Sequence, residues 1–375
     1  MVNLQLAGCF LLILLNVATV SSRDVPMKHR HHGGGAHTDP ERITKMLVFG
    51  DSAADNGNNL PEDMRLRRAT RDWYYPYGIS DNLHDNKPTG RYSNGLVQSD
   101  FLAMILSHEE SPAPYMVKGN EGLGDSGMNF AVGDSGVFEV ELQYPMISAQ
   151  IAQLQDMVTN SLADEQELRE SVALVAYTQA VDYAPIAWGA MIDDASKDDD
   201  LQQLADFVAN VTDEIVDCVG KLKEMGVPKV LVNLLPPIGC RPLMTIGGGY
   251  SQCMELGNNL TDAHNKALKE KLGDDTNIML LDLNTVFNDL INPKEGSTLS
   301  KFKYTLQPCC EATVPVLGFC GSYENDEQKF QLCRDRDDYF YWDIENPTHA
   351  AWRAVMRILQ GDIMAFLGIS TLNHF

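Results

Sequence analysis

Apolar residues gather along this chain into short unbroken runs separated by longer amphipathic stretches. Met46-Leu47-Val48-Phe49, Ser171 to Tyr177, Lys229 to Leu235 and Ile278 to Leu281 are each too short for a stable helix. Runs of this kind, bounded by turn-forming residues, predict strands buried on both faces. Between them, Leu96 to Leu106, Asp200 to Met225 and the stretch holding Asn258 to Asn265 place apolar residues at helical spacing. Strands alternating with helices over residues 44–368 predict a single α/β domain with a mainly parallel sheet covered on both faces. No internal repeat interrupts the pattern.

The first run ends abruptly at Gly50-Asp51-Ser52-Ala53-Ala54-Asp55-Asn56-Gly57-Asn58-Asn59. Asp, Ser, Asn and Gly in this density form a turn, so the strand delivers Ser52 to the carboxyl edge of the sheet, where open α/β sheets keep their ligand sites. The segment is not a G-x-S-x-G nucleophile elbow, because position 54 is Ala.

Composition narrows the setting. The chain has 375 residues, 44% hydrophobic and 22% charged, which is globular and long enough for a substantial core. Residues 1–22 carry no charged side chain, and the apolar run Leu4 to Val20 ends at Val20-Ser21-Ser22, the pattern of a secretory signal peptide. No later stretch is long enough to span a bilayer, so the mature chain is expected to be secreted and without a membrane partner. The net charge of −23 therefore belongs to the mature chain, which makes nucleic acid and anionic membranes poor partners.

Residues 23–43 hold four histidines around Gly33-Gly34-Gly35 and are expected to be a flexible leader rather than a metal site, since glycine fixes no coordination geometry. The acidic runs at Asp193-Asp194 and Asp198-Asp199-Asp200 are expected as solvated loops. Residues 369–375 form a short tail.

With Cys9 lost in the signal, seven cysteines remain, so disulfides plus at least one free or intermolecular thiol are expected. Cys240 and Cys253 would close a short loop, worth about 3 kcal/mol if the effect is loop entropy. The pairing of Cys218, Cys309, Cys310, Cys320 and Cys333 stays open. Asn210-Val211-Thr212 and Asn259-Leu260-Thr261 are glycosylation sequons, usable in a secreted chain.

Several longer blocks agree with one known pattern. The serine turn resembles G-D-S-x-x-D-x-G-N-N, the first block of plant-type GDSL esterase/lipases, members of the SGNH hydrolases. Tyr77-Gly78 after Pro76 resembles P-Y-G, and Pro88-Thr89-Gly90-Arg91-Tyr92-Ser93-Asn94-Gly95 resembles P-T-G-R-x-S-N-G. Asn129-Phe130-Ala131-Val132-Gly133 resembles N-F-A-x-G, and Leu235 to Pro242 matches a further block. The resemblance covers nearly all of the mature chain. It implies a flavodoxin-like three-layer α/β/α sandwich and a serine acyl-enzyme mechanism on esters without metal or cofactor. Ser52 would be the nucleophile, and the N–H groups of Ser52 and Gly133 would hold the oxyanion.

Two blocks depart from the pattern. Where the family has G-x-N-D-Y, the chain has Gln179-Ala180-Val181-Asp182-Tyr183, and valine cannot donate the oxyanion hydrogen bond of the asparagine it replaces. Where the family has W-D-x-x-H-P-T-x-A, the chain has Trp342-Asp343-Ile344-Glu345-Asn346-Pro347-Thr348-His349-Ala350. Asp343 matches the triad acid, but Asn346 stands at the histidine, and an amide is no base near neutral pH. His349 lies one helical turn on and His264 far from these blocks; a surface histidine and a packed or capping histidine are the simple expectations.

Two functions remain open at this level. One is a secreted GDSL-like protein with little or no esterase activity, keeping a cleft for an ester-bearing small molecule or an acylated glycan or polysaccharide, in the apoplast or wall if the source is a plant. The other is an active esterase or acyltransferase in which His349, or another histidine, serves Ser52 as a displaced base.

Overall fold

Of the four strand-forming runs, the first three are almost wholly buried, whereas Ile278 to Leu280 at the sheet edge are half-buried. The computed structural model describes residues 42–59, 70–139, 144–184, 198–299, 302–314 and 318–370. The expected signal segment, the histidines of the leader and Asp193-Asp194 lie outside those residues. Strands β1 (Lys45–Gly50), β2 (Gly127–Asn129), β3 (Ser171–Ala176), β4 (Lys229–Asn233) and β5 (Ile278–Leu281) form one parallel sheet in the order β2-β1-β3-β4-β5. This is the flavodoxin-like order, with a topological switch beside β1.

Alternation along the strands assigns the two layers. Met46, Val48, Val172 and Leu174 face a cluster built with α1 (Gln98–Ile105), α5 (Leu283–Ile291) and α6 (His349–Leu367). Leu47, Phe49, Ala173 and Val175 face the other side, packed on α2 (Ile147–Thr159), α3 (Asp198–Glu224) and α4 (Glu255–Leu272). Each large aliphatic or aromatic side chain buried this way contributes about 1.5–3 kcal/mol, so the sandwich holds both faces of the sheet out of water.

One expectation is corrected. Asp198, Asp199 and Asp200 do not lie in a loop; they open α3. Strand β2 has no apolar run to announce it. Gly127 sits at φ 105°, and a Cβ there would collide with the Met46 carbonyl, so this edge is set by close backbone approach.

The Cys240–Cys253 pair forms as expected, with Cα atoms 4.3 Å apart. The open pairings resolve as Cys309–Cys333 and Cys310–Cys320, leaving Cys218 as a buried thiol whose pKa burial pushes up to about 12. The two C-terminal disulfides tie the junction of β6 (Tyr304–Pro308) and β7 (Cys310–Ala312) to the end of β8 (Phe330–Leu332) and to the loop at Cys320, while β9 (Tyr339–Tyr341) is held by pairing with β6. Cys309 N–H donates to Tyr341 O at 3.0 Å and Cys310 N–H to Trp342 O at 2.7 Å, which anchors the chain just before Asp343.

Candidate active site

Gly50 ends β1 at φ 139°, and a side chain there would collide with the Ala176 carbonyl. Gln150 from α2 takes over the pairing of the strand end. Its Oε1 accepts from Gly50 N–H at 2.8 Å and its Nε2 donates to Gly50 O at 2.9 Å. The chain then turns, and Ser52 is left 1% exposed.

Asp51 joins this turn to the loop after β3. Its Oδ2 accepts from the N–H groups of Thr178 and Gln179 at 2.5 and 2.6 Å, and its Oδ1 accepts from the Thr178 hydroxyl at 2.7 Å and Ala53 N–H at 3.1 Å. Burial raises the Asp51 pKa, and these hydrogen bonds oppose the rise. The clamp fixes Ser52 relative to positions 179–181.

Asn346 occupies the middle of a side-chain relay. Its Nδ2 donates to both carboxylate oxygens of Asp343 at 3.0 Å, and its Oδ1 accepts from Gln179 Nε2 at 2.9 Å. The two departures from the family blocks, at 179 and 346, thus bind one another. Asp343 also accepts from the Tyr77 hydroxyl at 2.7 Å and from the backbone N–H groups of Glu345 and Asn346. Burial, then Asp343, push the Tyr77 pKa well up, so the phenol remains a donor.

A buried arginine completes the charge balance. Arg71 Nε lies 3.6 Å from Asp343 Oδ2, its Nη2 3.1 Å from Glu345 and its Nη1 3.7 Å from Asp134. Burial works against this charge, but Tyr77 and the three carboxylates outweigh it and hold the guanidinium cationic. Burial also raises Glu345, against the pull of Arg71.

Among the described residues no histidine or carboxylate is hydrogen-bonded to the Ser52 hydroxyl. Its Oγ accepts from Asp134 N–H at 3.3 Å, and among the described residues it donates to no acceptor. Gly133 N–H, matched to the oxyanion, donates instead to Asp55 Oδ2 at 2.7 Å. A Cβ at Gly133 would run into the Tyr92 ring, which is the local reason for glycine. Asp55 further accepts from Gly57 and Asn58, and burial lifts its pKa to about 6. Val181 opens a short helical turn after Ala180 at φ 55° and offers only an aliphatic side chain. Asp182 accepts from Val137, Phe138 and the Tyr177 hydroxyl, so it pins the loop after Gly133.

Neither histidine is hydrogen-bonded to Ser52. His349 Nδ1 accepts from Leu96 N–H at 3.0 Å, its ring stands edge-on to Phe101, and burial followed by Arg353 lowers its pKa. It is therefore a half-embedded residue at the start of α6, and not the surface histidine that the spacing suggests. His264 is fully buried against the Tyr183 hydroxyl at 2.8 Å, and burial depresses it to about 3. Asn210 and Asn259 are exposed on α3 and α4. No group of three or more potential metal ligands occurs among the described residues.

Asp51, Asp55 and Arg71 were missed from the sequence. The first two stand beside Ser52 in the matched block, which was a usable signal. Arg71 lies in no matched block, and nothing in its neighbours announces a buried cation.

The comparisons agree with this architecture. The GDSL-like lipase/acylhydrolase family matches residues 46–356. A GDSL esterase/lipase of Arabidopsis thaliana is 34% identical over 345 residues, covering 88% of this chain and 90% of the relative. A second from the same plant is 31% identical over 340 residues, covering 88% and 97%. Among solved structures, an α/β hydrolase enzyme from a lake metagenome is 11% identical, with a TM-score of 0.37 over 88% of this chain and 98% of that one, too remote to bear on the site. With the serine block at the carboxyl end of β1, the parallel sheet and a match over most of its length, the chain belongs to the GDSL esterase/lipase family.

Proposed function

We propose that this chain is a secreted GDSL-family protein whose Ser52 centre has little or no esterase activity, and that it retains a cleft for ester-bearing small molecules or acylated glycans. The observation that carries this function is the Gln179–Asn346–Asp343 relay, in which an amide that cannot take a proton stands in the histidine position. Loss of the corresponding histidine in a serine protease costs on the order of a million-fold in turnover. The engagement of Gly133 N–H by Asp55 and the valine at 181 point the same way, since one missing oxyanion donor costs roughly a hundred- to a thousand-fold. An esterase using His349 as base is weakened by the hydrogen bond that holds its Nδ1 on Leu96.

Short-chain nitrophenyl esters test the proposal. The parent and Ser52→Ala are expected to give the same rate, at the level of buffer. A parent rate well above that of Ser52→Ala would overturn it.

Secretion is supported by the uncharged apolar start, three disulfides and two exposed sequon asparagines. Expressed in plant cell culture, the protein should appear in the medium with an N-terminus near Arg23 and lose mass on deglycosylation. Residues 1–22 retained in a membrane pellet would refute this.

A further inference from the structure

A chain with 52 acidic and 29 basic side chains should have a carboxylate for every arginine. One cavity, of about 1010 Å³, departs from that expectation. It is lined by Arg334 and Arg336 from the segment before β9 and by Arg353 from the outer face of α6, with Arg357 one turn on. The side chains of Arg334 and Arg353 make no ion pair or hydrogen bond among the described residues, and Arg336 Nε is buried without a partner. The positive end of α6 adds to the field, because His349 and Ala350 of its first turn also line the cavity. Leu96 N–H holds His349 Nδ1 as an acceptor, so the neutral ring carries its proton on Nε2.

The remaining lining qualifies the ligand. Asp335, Asp337 and Asp338 stand among the arginines, which disfavours a polyanion such as nucleic acid. Carboxylates and the amides of Asn82 and Asn86 pair well with hydroxyl groups, while Phe302 supplies an apolar wall. Unpaired guanidinium forks suit a carboxylate bidentately. From this arrangement we infer that the cavity beside the start of α6 is a binding site for an acidic saccharide, a sugar unit carrying a carboxylate. Ser52 is not among its lining residues, so the site is separate from the serine centre. It also gives His349 a place in binding rather than in catalysis.

Calorimetry of the full-length secreted protein with a short galacturonate oligomer tests the site. Arg334→Gln with Arg353→Gln is the suitable variant, because both side chains are exposed and their replacement should leave folding intact, as circular dichroism would verify. The parent should bind the oligomer, the double variant should bind at least about ten-fold more weakly, and a neutral galactose oligomer of equal length should not bind. Equal binding by parent and variant, equal binding of the neutral oligomer, inorganic phosphate binding as tightly as the oligomer, or no binding by the parent would each overturn the assignment.

Discussion

The triple variant Gln179→Gly, Val181→Asn, Asn346→His should hydrolyse small nitrophenyl esters at least about a hundred-fold faster than the parent. Asp343 already accepts two hydrogen bonds from the Asn346 side chain, so an imidazole at that position finds its orienting carboxylate in place. Gln179 makes the single change insufficient. Its Nε2 donates to the Asn346 carbonyl, and the same donor would cap the imidazole nitrogen needed to take the Ser52 proton. Asn346→His alone should therefore stay near the parent rate, and Gln179→Gly should release it. Val181→Asn should matter mainly once a base is present, since groups acting in one transition state are not additive.

The figure is modest for a structural reason. Gly133 N–H remains tied to Asp55, so the rebuilt oxyanion site would rest on Ser52 N–H and the introduced amide. A triple variant that melts like the parent and hydrolyses the ester no faster would sink the relay as the cause of the proposed inactivity.

Asp51→Ala should lower stability by about 3 kcal/mol, with a fall in melting midpoint of roughly 4 °C in a domain of this size. The carboxylate satisfies four buried donors, three of them on the neighbouring loop at Thr178 and Gln179. Each donor left unpaired costs about 1–3 kcal/mol. Relief of burying a carboxylate offsets part of that sum, as the raised Asp51 pKa indicates. Asp51→Asn should lie between parent and Asp51→Ala, because one end of the amide cannot accept. Ser52→Ala should stay within about 1 kcal/mol of the parent, having only the 3.3 Å contact from Asp134 to lose. Urea unfolding of the three variants reads the order, and Asp51→Ala as stable as Ser52→Ala would refute the clamp.

Strands β1, β3, β4 and β5 were legible in the sequence because a strand buried on both faces must be continuously apolar, a local property. The same holds for the Ser52 turn, for the missing base at 346 and for the missing donor at 181, each fixed by side-chain chemistry alone. Strand β2 was not legible, since Gly127 gains its place by lying against Met46 rather than by its own preference. Nor were the partners of Cys309 and Cys310, because adjacent cysteines differ in pairing only through the directions their strands impose. Arg71 needed the fold as well: it is tolerable in the interior only because Asp134, Asp343 and Glu345 converge on it from distant parts of the chain. The sequence by itself determined the layers of this protein and the absence of a base at position 346. Only the tertiary structure decided that Gln179 holds Asn346, that Asp55 holds Gly133 and that unpaired arginines meet beside His349, because hydrogen bonds and charge pairs between distant residues have no local signature.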